Sequence, residues 1–117
     1  MPHVVLTGDV NCEKTFDILE DIFVKLPKGI LKTTDQYLEK NKKAILIESL
    51  AIEEGKKISF LVLLNDRDDG MVIRIYPGKD DIEKTNGVKR ILAELGKQLL
   101  DKFENVTIGK TNLQEFL

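Results

Sequence analysis

The sequence predicts an α+β fold, a two-layer sandwich in which a mostly antiparallel sheet of five to six strands carries two long helices. Short runs of apolar and β-branched residues closed by turn residues predict the strands, and two segments with apolar residues three or four positions apart predict the helices. The elements follow in the order β-α-β-β-β-β-α-β, with a short helical turn at the C-terminus. Because no linker or repeat interrupts the 117 residues, we expect a single domain.

The first third of the chain predicts a strand, a helix and a second strand. Residues 3–7 are apolar and β-branched, and Gly8 ends the run. A helix is predicted over 12–26, because its apolar side chains fall on one stripe and Pro27 stops it. Asp9 or Asn11 is placed to cap this helix. A weaker, threonine-rich pattern over 30–38 predicts an edge strand.

The remaining chain predicts two hairpins, a helix and a last strand. Strands over 44–52 and 58–64 are joined by a polar loop in which Gly55 suits the positive φ of a hairpin turn. A polar loop over 65–70 leads to a strand over 71–76. Helical spacing predicts a helix over 81–103, and a strand is predicted over 105–109. Thr111 and Gln114 form a Thr-x-x-Gln pattern that predicts a final helical turn.

Composition narrows the possible partners and compartment. The net charge of −2 and the pI near 5.5 argue against nucleic acid and anionic membranes as partners. The single cysteine, Cys12, has no partner for an internal disulfide, and the N-terminus lacks the basic and apolar regions of a signal peptide. No apolar run is long enough to span a membrane. We therefore expect a cytoplasmic protein.

The central strands are apolar on both faces, which is unusual for a sheet that helices cover on one side. The second face must be covered by one of the two helices, by closure of the sheet around a cavity, or by another subunit, because an exposed apolar patch of that size is rare in monomers. We expect a homodimer, or another protein partner, on this face. The predicted self-association face consists of Ile45, Ile47, Leu61, Leu63 and Val72.

Two other functions stay open. The first is a small-molecule-binding or enzymatic domain, in which the sheet curves around a small apolar cavity and Thr7, Asp9, Asn11 and Tyr76 supply polar contacts near its rim. The second is weak RNA binding through the lysine-rich loops, which contain Lys40, Lys42, Lys43, Lys56 and Lys57.

Residues with catalytic or metal-binding chemistry do not combine into a site in the sequence. Cys12 lies at a helix start, where a thiolate is stabilised, but the only histidine, His3, is separated from it by a strand. Asp66, Asp68 and Asp69 resemble a calcium loop, yet the following glycine falls one position too early for an EF-hand. A solvated turn is the better interpretation, and no metal site is predicted.

Two further motifs have structural explanations. Gly109-Lys110-Thr111 resembles the end of a phosphate-binding loop, but Glu104 occupies the position of the first glycine and no long helix follows. The acidic residues Asp80, Asp81 and Glu83 complement the dipole of the predicted second helix. The sequence thus predicts a non-catalytic binding or regulatory module without a cofactor.

Overall fold

A computed structural model describes residues 1–78 and 81–117. The fold is α+β, with a curled, antiparallel, seven-stranded sheet of order β2-β3-β4-β5-β6-β1-β7 and two helices. The strands are β1 (His3–Gly8), β2 (Phe23–Leu26), β3 (Gly29–Leu38), β4 (Ala44–Glu53), β5 (Lys56–Arg67), β6 (Gly70–Ile75) and β7 (Val106–Thr111). The helices are α1 (Cys12–Ile18) and α2 (Asn86–Lys102), and a 3-10 turn covers Gln114–Phe116.

The first helix is shorter than predicted, and part of the segment predicted to be helical forms an additional strand, β2. Helix α1 ends at Ile18, and the extended backbone of Leu19 caps it. Residues 23–26 instead form β2, which pairs with β3 across a two-residue turn that contains Pro27. Apolar residues here fit a period of two as well as a helical period, and pairing with β3 gives the backbone of β2 hydrogen-bond partners. The prediction of five to six strands was therefore too low.

The two predicted hairpins are confirmed, with longer strands than expected. Strands β4 and β5 pair over their whole common length, and Gly55 has a φ of 82° in the turn between them. The loop predicted over 65–70 shrinks to Asp68 and Asp69, because β5 continues to Arg67 and β6 begins at Gly70. Polar residues remain in these strands because only one face of the sheet is covered by helices.

Helix α2 begins later than predicted, because Thr85 and Glu53 fix its N-terminus. The Thr85 hydroxyl accepts a hydrogen bond from the Val88 N–H at 3.2 Å, and the Glu53 carboxylate accepts one from the Gly87 N–H at 3.0 Å. Ahead of this cap, Asp81 pairs with Lys84 at 2.8 Å and Glu83 pairs with Lys56. The two described acidic residues therefore precede the helix, and Asp80 lies outside the described residues.

The C-terminal strand is displaced from its predicted bounds by one or two residues, and the final turn is present. The Thr111 hydroxyl donates to the His3 carbonyl at 2.7 Å and accepts from the Leu113 N–H at 3.1 Å. The Gln114 side chain donates to the Thr111 carbonyl at 2.6 Å. These bonds hold the chain end against β1.

Both helices pack on the same face of the sheet and form one core with it. Apolar side chains of α2 lie against β1, β3, β4 and β6, while α1 lies against β3, β4 and β5. The largest fully buried side chains of this core include Leu6, Leu31, Ile45, Ile47, Leu64, Met71, Ile73, Ile91, Leu92, Leu95 and Leu99. The opposite face of the sheet, which no described helix covers, is called the open face below. In the described part of the chain, no helix is long and apolar enough to cross a membrane.

Candidate functional site

The open face is built from the strand residues that alternate with the buried core positions. Cross-strand partners share a face, so the register gives its rows directly. One row runs across five strands and consists of Tyr37, Leu46, Leu63, Arg74 and His3. Another row, beyond that of Glu48 and Leu61, consists of Phe23, Lys32, Leu50 and Ser59.

The five residues predicted for self-association do not share one face. Ile45 and Ile47 are 0% exposed and lie under the helices, where Ile47 pairs with Val62. Leu61, Leu63 and Val72 lie on the open face, which the pairing of Leu46 with Leu63 and of Asn65 with Val72 confirms. Grouping them was wrong because neighbouring strands fix the face through their register, which a single strand pattern does not contain.

Three aromatic side chains stand exposed on or beside the open face. Phe23, Tyr37 and Tyr76 are 66%, 52% and 42% exposed. The Tyr37 hydroxyl donates to the Glu48 carboxylate at 2.8 Å, and this hydrogen bond is the main reason why the pKa of Tyr37 is raised. The side chain of Tyr37 is therefore neutral and held in place. Such rings offer flat surfaces for stacking.

The open face is positively charged, although the chain as a whole is not. Its basic residues are Lys25, Lys32, Lys57, Arg67, Arg74 and Lys110. Glu48 and Asp69 are acidic residues of the same face, and Asp35 lies nearby in the bulge of β3. Since the chain has 18 basic and 20 acidic residues, the excess of acidic residues lies elsewhere. The aliphatic stems of the lysines and arginines also cover apolar surface between the strands.

Two grooves divide the open face. One, of about 500 Å³, lies over β3, β4 and β5, and its lining includes Lys32, Lys57 and Leu61. The other, of about 460 Å³, lies over β6, β1 and β7 and is called the arginine groove below. Val5 and Val72, which are register partners, form its floor. Its polar lining consists of His3, Thr7, Arg67, Asp69, Arg74 and Lys110.

Arg74 and His3 face each other across β6 and β1 in the arginine groove. The Arg74 Nη2 donates to the Asn65 side-chain oxygen at 3.2 Å, but its Nε is buried without a hydrogen-bond acceptor. The His3 Nδ1 lies 3.0 Å from the Met1 carbonyl oxygen. A buried N–H without an acceptor is costly, whereas the remaining nitrogens of the Arg74 guanidinium belong to the groove lining.

The four residues predicted to line a cavity rim are not brought together. Thr7 lies in the arginine groove, whereas Tyr76 follows the far end of β6 and donates its backbone N–H to the Leu61 carbonyl at 2.8 Å. The Asn11 side chain caps α1 by accepting from the Lys14 N–H at 2.8 Å. The exposed Asp9 side chain lies 3.7 Å from the Lys14 amine. Thr7 therefore lines the arginine groove, whereas Tyr76 lines a separate groove together with Ile82 and Lys84.

Cys12 is buried and its thiol is protonated. Burial, reinforced by Asp66, raises the pKa of Cys12 far above its ordinary value of 9.0. The Asp66 carboxylate accepts from the Cys12 backbone N–H at 2.7 Å, and the thiol donates to the Leu64 carbonyl at 3.5 Å. A protonated, buried thiol is a poor nucleophile.

The remaining motifs are explained by local contacts. Of the loop lysines, Lys42 pairs with Glu13 at 3.5 Å and Lys56 pairs with Glu83. The Asp66 carboxylate accepts a hydrogen bond from the first residue of α1, whereas Asp69 lies at the arginine groove. The carboxylates of the predicted calcium-like loop therefore do not point to one common position. Among residues 1–78 and 81–117, no three His, Cys, Asp or Glu side chains are grouped to hold a metal ion.

Sequence reasoning overlooked two charges inside the strands and placed a third in a loop. Lys32 and Arg74 lie in strands beside apolar residues, and Lys57, predicted in a loop, lies in β5. Such a charge marks a solvent-facing position, and three of them on one face indicate a basic surface. Lys110 was noticed only as part of an incomplete phosphate-loop pattern, although the structure places it at the arginine groove.

In comparisons with known proteins, no family model, no curated protein and no solved structure matches the chain significantly.

Proposed function

We propose that the protein is a non-catalytic binding module whose open face binds single-stranded RNA. The observation that carries this proposal is the concentration of lysine, arginine and exposed aromatic side chains on the one sheet face without helices. Cations bind the phosphate backbone and release its counterions, while rings stack on unpaired bases. The open face supplies both kinds of group.

The spacing of the rings favours an extended strand over a small ligand. From the strand rise and the strand separation, Tyr37 lies about 15 Å from both Phe23 and Tyr76. A strand that crosses the sheet would stack separated bases on these rings, with the backbone running over Lys32 and Arg74 between them. An unstructured strand can adopt this path, whereas a rigid duplex cannot present its bases.

The net charge of −2, taken alone, argues against nucleic acid as a partner. Net charge, however, averages over the whole surface. Salt screens charges that lie farther than a Debye length of about 8 Å, so an RNA strand on the open face interacts mainly with the charges of that face. The local excess of basic residues on this face therefore outweighs the acidic residues of the helical layer.

Binding to a fluorescein-labelled 12-nucleotide RNA of mixed sequence, followed by fluorescence anisotropy, tests the proposal. Lys32→Glu and Arg74→Glu should each weaken binding about tenfold or more at low salt, and loss of one phosphate contact should reduce the salt slope by about one. Lys97→Glu, on the exposed side of α2, is the matched control and should bind like the wild type. Equal weakening by all three variants, or no binding by the wild type, would contradict the proposal.

Self-association through the open face is the second candidate, because Leu61, Leu63 and Val72 lie there with partly exposed apolar neighbours. A face-to-face dimer would bring the basic residues of two copies together, which disfavours it relative to an anionic partner. Size-exclusion chromatography with light scattering distinguishes the two. A dimer that Leu61→Glu dissociates, without RNA binding, would replace the first proposal with the second.

A further inference from the structure

We infer that the arginine groove is a binding site for a terminal phosphate group. This inference rests on the proposed function if the phosphate belongs to an RNA end, but the same chemistry also suits free phosphate or a small phosphate ester. Among the residues that the structure describes, the other groove of the open face has no comparable set of two arginines, a lysine and a histidine.

The charges of the groove match a phosphate monoester. Arg67, Arg74 and Lys110 line it, and Asp69 is the acidic residue among its lining. The Asp69 carboxylate lies 3.8 Å from the Arg67 Nε and offsets part of one positive charge. A phosphate monoester carries a charge of about −1.5 to −2 at pH 7, more than an internal phosphodiester, so a terminal phosphate gains the most from this excess.

Hydrogen-bond donors surround the floor of the groove. Arg74 and His3 lie side by side at one end of the groove. Arg67 and Thr7 lie at the other end, about 13 Å away along β6. The long arginine side chains can reach towards the centre from both ends. Arginine forms paired hydrogen bonds with phosphate oxygens, and both Arg67 and Arg74 line this groove.

A glycine of β7 leaves open the space beside the Thr7 hydroxyl. A Cβ on Gly109 would lie 2.7 Å from the Thr7 hydroxyl and 3.2 Å from a Val5 methyl. The Thr7 hydroxyl therefore stays accessible beside the apolar floor because β7 has no side chain at this point.

Two binding experiments test the inference. One is calorimetric titration with inorganic phosphate, and the other is fluorescence anisotropy with a 12-nucleotide RNA that carries either a 5′-phosphate or a 5′-hydroxyl. The 5′-phosphate should raise affinity about tenfold or more, which corresponds to one charge-assisted hydrogen bond. Inorganic phosphate should compete for this gain. Arg67→Gln and Lys110→Gln should remove it, whereas Lys97→Gln should preserve it. Arg67 is half exposed, so its variant should retain the fold, and Arg74→Lys provides a second, conservative variant.

The outcomes separate this inference from the proposed function. Equal binding of both RNA ends, together with no binding of inorganic phosphate, would overturn the phosphate site and leave the RNA surface standing. Phosphate binding that Arg67→Gln abolishes, without any RNA binding, would support the site and contradict the proposed function. Phosphate binding that none of the groove variants changes would also overturn the inference.

Discussion

Glu53 and Gly87 join the end of the longest hairpin to the start of the long helix. The Glu53 carboxylate accepts hydrogen bonds from the Gly87 backbone N–H at 3.0 Å and from the Thr85 hydroxyl at 2.5 Å. The carboxylate packs so closely on Gly87 that a Cβ there would lie 2.6 Å from it. This contact fixes the N-terminus of α2 beside the end of β4.

Removing this cap should destabilise the fold. Glu53→Ala leaves two donors at the N-terminus of α2 without their acceptor and should lower the free energy of unfolding by about 1–2 kcal/mol in urea denaturation. Glu54→Ala, in the adjacent turn, is the control and should change stability by less than about 0.5 kcal/mol. Equal effects of the two substitutions would contradict the role given to Glu53.

The two faces of the central hairpin should respond differently to truncation. Ile47→Ala removes a fully buried side chain under the helices and should cost about 2–4 kcal/mol. Leu61→Ala, on the open face, should cost less than half as much, since its side chain is partly exposed. Urea denaturation monitored by circular dichroism gives both values, and a larger loss for Leu61→Ala would mean that the faces are assigned wrongly.

Gly70 should tolerate no side chain. A Cβ at this position would lie 1.9 Å from the Leu6 carbonyl oxygen of β1, so Gly70→Ala must push β1 and β6 apart and should cost more than about 2 kcal/mol. Gly55→Ala has the positive φ of 82° but no atom within 4 Å of the added carbon, and should cost only about 1 kcal/mol. Thermal unfolding of both variants measures the difference, and similar losses would argue against close packing at Gly70.

The Cys12 thiol should be unreactive in the native protein and should contribute a pH dependence. The pKa of Cys12 is higher in the folded state than in the unfolded chain, where it has its ordinary value of 9.0. The corresponding stability is therefore complete at pH values well below 9.0 and decreases as the pH rises past it, because only the unfolded chain then releases the proton. Unfolding free energies at pH 7 and pH 9.5 should differ more for the wild type than for Cys12→Ala. Rapid native-state reaction with a disulfide reagent at pH 8 would contradict this account.

Part of the fold and less of the site could be predicted from the sequence. The β4–β5 hairpin was predictable because Gly55 and the apolar runs beside it are local signals. The strand β2 was not, because residues 23–26 satisfy both periods and only their pairing with β3 decides between them. The face of Ile45 and Ile47 likewise depends on where the helices pack, which is a tertiary property. The basic surface arises from charges on several strands, and only the sheet order brings Lys32, Arg74 and Lys110 onto one face.

Amide chemical-shift mapping with a 12-nucleotide single-stranded RNA tests the central claim most directly. Binding on the open face predicts the largest shifts in β3, β4, β5 and β6, strongest near Lys32, Leu61 and Arg74, with small shifts along α1 and α2. The shifts should shrink as salt is raised, because phosphate contacts dominate the affinity. Shifts confined to the helices or to the lysine-rich loops, or no shifts at low salt, would contradict the assignment of the open face as the binding surface.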